Sequence, residues 1–255
     1  MAIARPAFVD AAETSGIGFC ATSDPLVLSD DVSGIWSPCT VQRGALLIES
    51  TYLQNASAVG GTALAAYPML QLRTGIFNRV EFVFHSPSQV AESGVAGAGL
   101  YPMTRLGYGA RYTASQTARS AVALVAEVLP PMSRFSPTHV QSKYLLGLTS
   151  EFELNSKISF GLSASGTSSA TSGFNIVVPS AAAKLAYSVS PATQVSSDLG
   201  MRLVSRHSVA QSFGDVSVDQ RLGKRLLFNV GLGTAFNPVG NAKAHYLASG
   251  FDYHL

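Results

Sequence analysis

The 255-residue chain carries little charge: 17 Lys and Arg and 15 Asp and Glu make up 13% of it, about half the usual share for a soluble domain. It also lacks a long apolar run, although mean hydropathy is positive at +0.24 and 47% of the residues are hydrophobic. No stretch approaches the roughly 18 apolar residues of a membrane helix, which excludes crossing a bilayer by helices. Apolar content without an apolar block means that the hydrophobicity is spread in alternation. A net charge of +2 with no clustered basic stripe excludes a nucleic-acid partner. The opening MAIARPAFVD has no charged n-region followed by an apolar h-region. For an exported protein, the signal is expected to have been removed.

Cysteine is scarce too. Cys20 and Cys39 lie in a segment rich in Pro, Ser and Asp, without the further ligands a metal site would need. Two readings stand, a disulfide in an oxidising compartment, which the even pair favours, and two unrelated thiols. No G-x-S-x-G elbow occurs, and His85, His139, His207, His245 and His254 are scattered without metal spacing. Outer-membrane enzymes can carry Ser and His on one strand, so His85 with a nearby Ser is the one catalytic alternative. No catalytic, cofactor or metal site is assigned, and the chain is expected not to be an enzyme.

What is present is period-two alternation, clearest over residues 214–236, GDVSVDQRLGKRLLFNVGLGTAF. Val216, Val218 and Leu222 share one face of the first arm, while Asp215, Ser217, Asp219 and Arg221 share the other. In the second arm, Leu226, Phe228, Val230 and Leu232 oppose Arg225, Asn229, Gly231 and Gly233. One face is thus charged or glycine and the other almost wholly apolar, as in a strand between lipid and a polar lumen.

From Val41 onward, an alternating segment followed by a turn repeats. Strands are predicted near 42–54, 62–76, 79–87, 103–114, 118–129, 140–153, 157–168, 179–190, 193–205, 210–222, 225–236 and 243–255. Short turns are expected at Phe77-Asn78, Ser115-Gln116-Thr117, Asn155-Ser156, Pro191-Ala192 and Gly223-Lys224. Between them fall longer loops such as 86–102, 130–140, the Ser/Thr/Gly tract 166–175, and 237–243. Short turns on one side and long loops on the other suit an outer-membrane barrel. The final strand, HYLASGFDYHL, runs to the last residue, and its Leu255 departs from the Phe that usually ends such barrels.

Assigning faces by parity places eight basic residues inward, Arg73, Arg105, Arg111, Lys143, Lys184, Arg202, Arg221 and Arg225. Eight acidic residues face them: Glu49, Glu81, Glu127, Glu151, Asp198, Asp215, Asp219 and Asp252. The other charges after residue 40 fall at strand ends, turns or loops, so none is left for the middle of the outward face. A Lys or Arg at the bilayer midplane costs about 2–4 kcal/mol, and an empty face is what a membrane demands. The inward charges, with Asn229, are the lumen-lining candidates. They either form a ladder along a conduit, with Arg73, Arg105 and Arg111 opposite Glu49, Glu81 and Glu127, or satisfy one another and fill the lumen.

The fold class is therefore all-β, a transmembrane antiparallel β-barrel of about twelve strands over residues 41–255. Residues 1–40 carry Asp10, Glu13, Asp24, Asp30 and Asp31 against Arg5, without long alternation. They read as a periplasmic or plug-like extension, which a Cys20–Cys39 bond would stabilise by about 3 kcal/mol.

Several segments together resemble the outer-membrane transporter family named for the MetA pathway of phenol degradation. RGALLIESTY (43–52) is similar to its opening strand, and YPMLQLRTGIFNRVEFVF (67–84) to its most recognisable hairpin. LGYGARY (106–112), VDQRLGKRLLFNVGLG (218–233) and the terminal HYLASGFDYHL resemble later strands. Arg105 and Asn229 stand where acidic residues are common in that family. The resemblance implies a twelve-stranded barrel passing small, often hydrophobic or aromatic molecules. The expected partners are membrane lipid and a small-molecule solute, in the bacterial outer membrane and by passive diffusion. The other reading is a structural anchor with a closed lumen, docking a protein partner through residues 1–40 or the long loops.

Overall fold

The computed structural model describes residues 19–20, 24–30, 35–57, 63–86, 89–93, 100–102, 106–130, 142–171, 174–203, 210–237 and 242–255. One short helix, α1 (Pro25–Leu28), precedes the strands β1 (Leu46–Ser57), β2 (Ala63–Phe77), β3 (Val80–His85), β4 (Gln89–Ser93) and β5 (Leu100–Pro102). There follow β6 (Gly107–Gln116), β7 (Ser120–Leu129), β8 (Lys143–Glu153), β9 (Ile158–Thr171) and β10 (Phe174–Ser190). The chain ends with β11 (Thr193–Leu203), β12 (Ala210–Arg221), β13 (Leu226–Asn237) and β14 (Ala242–His254).

All pairings are antiparallel between neighbours, and β1 pairs with both β2 and β14, so the sheet closes on itself. Closure needs only twelve staves. Where β3 has ended, β4 takes its place along β2 over Ala63–Tyr67, and β5 pairs with β4 much as β6 pairs with β3. The third and fourth staves are interrupted, not supplemented, and the predicted loop 86–102 contains the outer parts of both. The tract 166–175, expected as a loop, is also mostly strand: β9 runs to Thr171, and β10 starts at Phe174, directly opposite it. Ser and Thr tolerate the extended backbone well, and a ladder projecting beyond the bilayer still satisfies its own N–H and C=O groups. The first short turn falls at Asn78-Arg79, one residue later than expected, with Arg79 at φ 67°. At the turn before β9, the Asn155 side chain accepts from Lys157 N at 2.8 Å and Ile158 N at 3.0 Å.

The exposure pattern is inverted relative to a soluble protein. Arg73 and Arg111 are 0% exposed, whereas Leu146 and Leu199 are each 68% exposed. Charges inside and leucines outside make sense only with lipid around the barrel. Exposed rings mark the two membrane boundaries: Phe152, Tyr187 and Tyr253 near the short-turn end, and Tyr108, Tyr144 and Phe236 near the other. From Tyr144 to Phe152 along β8, the rise is roughly 26 Å at 3.3 Å per residue, or about 20 Å after a 40° tilt, close to the apolar band of such barrels.

Glycines inside make room for what crosses them. At Gly75, an added Cβ would sit 2.1 Å from Gln42 O, because the chain entering β1 runs directly over that point. Gly44 N donates to Gly75 O at 2.9 Å, and Gly75 N donates to Ala45 O at 3.3 Å. Gly231, in contrast, would offer a new methyl only ordinary contacts, the nearest at 3.4 Å. Gly75→Ala is expected to lose more than about 2 kcal/mol, and Gly231→Ala to stay within about 0.5 kcal/mol. The temperature at which the compact, unboiled band converts to the unfolded one on a detergent gel measures the difference.

Candidate functional site

The lumen is where the sequence put its charges, and its early-strand half is occupied by the chain's own N-terminal segment. The described residues between 19 and 45 engage inward-facing groups around much of the barrel. Phe19 N donates to Thr117 O, Thr113 Oγ1 to Pro38 O and Thr149 Oγ1 to Trp36 O, at 2.8, 2.8 and 2.6 Å. Arg221, on β12, pairs with Asp24, which also caps α1 by accepting from Leu26 N at 3.1 Å. Leu28, Cys39 and Val41 form an apolar core with Leu47 and Ala121 of the barrel wall. Cys20 and Cys39 are disulfide-bonded, closing a loop across 19 positions.

The centre of the arrangement is a pair of buried arginines. Arg73 (β2) donates from Nε to Glu81 Oε1 at 2.7 Å and from Nη2 to Glu81 Oε2 at 3.2 Å, and Nη2 also reaches Cys39 O at 2.9 Å. Its Nη1 donates to Leu28 O. Arg111 (β6) grips Asp30 with both terminal nitrogens, at 2.9 and 2.8 Å, and donates to Ser37 O at 3.0 Å. Glu81 accepts from Val41 N at 2.7 Å, and Glu49 accepts from Asp30 N at 2.9 Å. Gln71 bridges Asp30 and Glu49 at 2.8 and 2.7 Å. Each guanidinium is thus met by carboxylates and by backbone carbonyls of the segment, so the segment is part of how the wall's charges are satisfied.

Glu49, Arg73, Glu81 and Arg111 meet around Asp30, an acid from outside the predicted barrel. Glu127 stands 3.3 Å from His85 Nε2 in place of an arginine. Arg105 lies outside the described residues. Asp198 and Asp215 are buried directly opposite each other on β11 and β12, next to Lys184 on β10. From β14, Tyr246 arches over Gly233 to donate to Asp215, and a Cβ at Gly233 would lie 2.2 Å from its ring. Asp219 lies between Gln194 and Asn229 in register, and Asn229 donates to Asp252 at 3.4 Å. Arg202 faces the lumen at the long-loop end, exposed to it. Arg225 is exposed at the turn, since β13 begins only at Leu226, and its carbonyl accepts from His254 N at 2.8 Å. Asp30, Gln71 and Trp36 went unrecognised in the sequence; they sit singly in irregular chain or as neutral residues, where no periodicity marks them.

Among the described residues, a space remains at each end of the lumen. One, of about 590 Å³, opens at the short-turn end between α1 and strands β8–β11. The other, of about 440 Å³, opens at the long-loop end, lined by Trp36, Leu129, Leu145 and Phe213 beside Lys143 and Arg202.

Burial acts to raise the Asp30 carboxyl, but Arg111 and Arg73 outweigh it and hold the group well below its ordinary range. Its contribution to docking the segment is thus complete above the unfolded value near 3.8 and is lost only as pH falls through the lower folded value. The chain's one tryptophan, Trp36, reports this docking. Its emission is expected to show no Asp30-linked change between pH 7 and pH 4, and to shift to the red in stronger acid. Asp30→Asn is expected to weaken docking by about 3 kcal/mol, since it leaves a buried arginine underpaired. The same red shift, at neutral pH and lower denaturant, measures it.

No protein-family model and no curated protein matches the sequence. Among solved structures, the COG4313 outer membrane channel from Pseudomonas putida F1 is similar, with a TM-score of 0.65 at 14% identity, covering 85% of this chain and 97% of that one. KdgM porin is similar at a TM-score of 0.51 and 10% identity over 80% of this chain and 98% of its own, and its complex with disordered oligogalacturonate gives 0.53. At these identities the likeness is one of fold, and the fold is the closed twelve-stranded barrel of bacterial outer-membrane channels.

Proposed function

We propose that the protein is a channel of the bacterial outer membrane through which small molecules diffuse passively, with residues 19–41 serving as an internal plug that narrows the lumen. The observation that carries this reading is the pair of water-sized-to-solute-sized spaces, about 590 and 440 Å³, at opposite ends of a charge-lined barrel. A purely structural barrel has no need of cavities at both mouths. The outer space pairs Trp36, Phe213, Leu129 and Leu145 with the cationic Lys143 and Arg202, which suits an apolar or aromatic solute bearing a polar group. This agrees with the resemblance of the opening strand and the 67–84 hairpin to the transporter family named for the MetA pathway of phenol degradation. No chemistry is assigned to the charged residues; they line, pair and orient. The filled early-strand half of the lumen favours one second reading, a closed anchor.

Planar-bilayer recordings separate the two. The full chain is expected to give a small, voltage-independent conductance, which rises several-fold in Asp30→Asn as the plug loosens. Silence in both, with the folded band intact, would sink the channel reading and leave the anchor.

A further inference from the structure

Resting on the channel reading, we infer that solutes pass not along the barrel axis but through an off-centre slit between the plug and strands β8–β10, gated at Trp36 and the Glu151–Lys184 pair. The plug is lopsided. Its two fully buried arginine anchors, Arg73 and Arg111, and its apolar core fall on β1, β2, β3, β6 and β7, where Leu47, Val83, Thr113, Ala123 and Val125 are fully buried, while the Arg221–Asp24 pair and the hydrogen bond from Thr149 to Trp36 O tie it to later strands. Along β8–β10 spaces remain between plug and wall, the outer one reaching on to Arg202, Phe213 and Ala235 of β11–β13.

The inward residues of β9 trace the gap. Ser159 lines the 590 Å³ space at the short-turn end, Gly161 lines a neck of about 10 Å³, and Ser163 lines the 440 Å³ space beyond. These are alternate residues of one strand, so the three spaces succeed one another along a single wall. The plug side agrees: Leu26 and Val27 border both the inner space and the neck, and Trp36 borders both the neck and the outer space.

The neck has two unlike faces. On the plug it is Leu26, Val27, Ile35 and Trp36, with the hydroxyl residues Ser29 and Ser37; on the wall it is Ser150 with Glu151 and Lys184, the last two standing in register on either side of Gly161. Gly161 is the notch, since a side chain there would project into the gap beside the Lys184 stem, 3.4 Å from the position of its Cβ. A volume of about 10 Å³ holds roughly one water. Passage therefore requires the indole of Trp36, which lies over Gly147 of β8, to swing aside. A solute with an apolar edge toward the plug and a dipolar edge toward Glu151 and Lys184 satisfies both faces. A bare ion is poorly served, because the plug face offers two hydroxyls among larger apolar side chains and the wall carries charges of both signs.

Single cysteines introduced into the full chain test the route, since the two native cysteines are bonded to each other. The variants are Ser159→Cys, Gly161→Cys and Ser163→Cys on the slit, and Thr113→Cys and Val125→Cys on the anchored side. Each is folded, checked by its heat-modifiable band, and exposed to a small water-soluble maleimide, with labelling read by intact mass and conductance read in parallel. Positions 159 and 163 are expected to label fast and position 161 more slowly. Trp36→Ala, added to Gly161→Cys, should speed labelling at 161 several-fold, and positions 113 and 125 should stay unlabelled. The slit is overturned if 161 stays unlabelled even with Trp36→Ala, or if 113 or 125 labels as fast as 161. Labelling in the expected order without conductance would instead retain the slit as a water path and overturn the channel reading on which solute passage rests.

Discussion

Everything in this barrel depends on the need to pair charge away from bulk water. A strand wall with lipid outside must send its ionisable side chains inward, and a narrow lumen offers them too little water to stand alone. Arg73 and Arg111 are the sharpest case, fully buried and close to each other. Two like charges at such proximity are tolerable only with carboxylates between and around them. Glu81 and Glu49 come from the wall, but the wall's supply is incomplete, and Asp30 completes it. The plug is thus held by the same electrostatics that the barrel must resolve for itself, with the backbone carbonyls of Leu28, Ser37 and Cys39 also accepting from the two guanidiniums.

The barrel was legible because one rule, polar inward and apolar outward at period two, recurs in every stave. Asp215, Asp219 and Asn229 could be placed on the inner face from two residues of context. Misreadings arose where the rule has no grip. Over 166–175, Ser, Thr and Gly are acceptable to both loop and strand, so composition could not reveal that β9 and β10 continue there. Over 86–102, the outer ends of two staves are too short for alternation to register. The plug was the largest blind spot. Its decisive contacts join residues far apart in sequence, Asp30 to Arg111 and Asp24 to Arg221, and nothing periodic in residues 1–40 announces which acid will matter. What the sequence did disclose there was a surplus of acid, and that surplus is what the wall consumes.

The two halves of the lumen wall use glycine differently. On β13, Gly233 lets Tyr246 lie flat and reach Asp215, so the space is filled by a side chain from the neighbouring strand. On β9, the notch at Gly161 is bordered by the Lys184 stem and the Ser150 carbonyl, both at ordinary contact distance. The same absence of a Cβ thus seals one wall and leaves the other grooved, and the difference lies entirely in which residue faces the glycine across the ladder.

The seam between first and last strands carries a further consequence. Leu46 and Leu255 exchange both backbone hydrogen bonds, at 3.1 and 2.8 Å. The ring is therefore shut by pairing the first residue of β1 with Leu255, the longest sequence separation among the described pairings. Until that happens, β1 has one open edge, and the plug, only a few residues upstream of it, lies beside a curling sheet and not within a tube. Assembly can lay the segment against its arginines while the side is still open. The disulfide-closed loop then needs no threading through a finished mouth, and the last strand to arrive imprisons it.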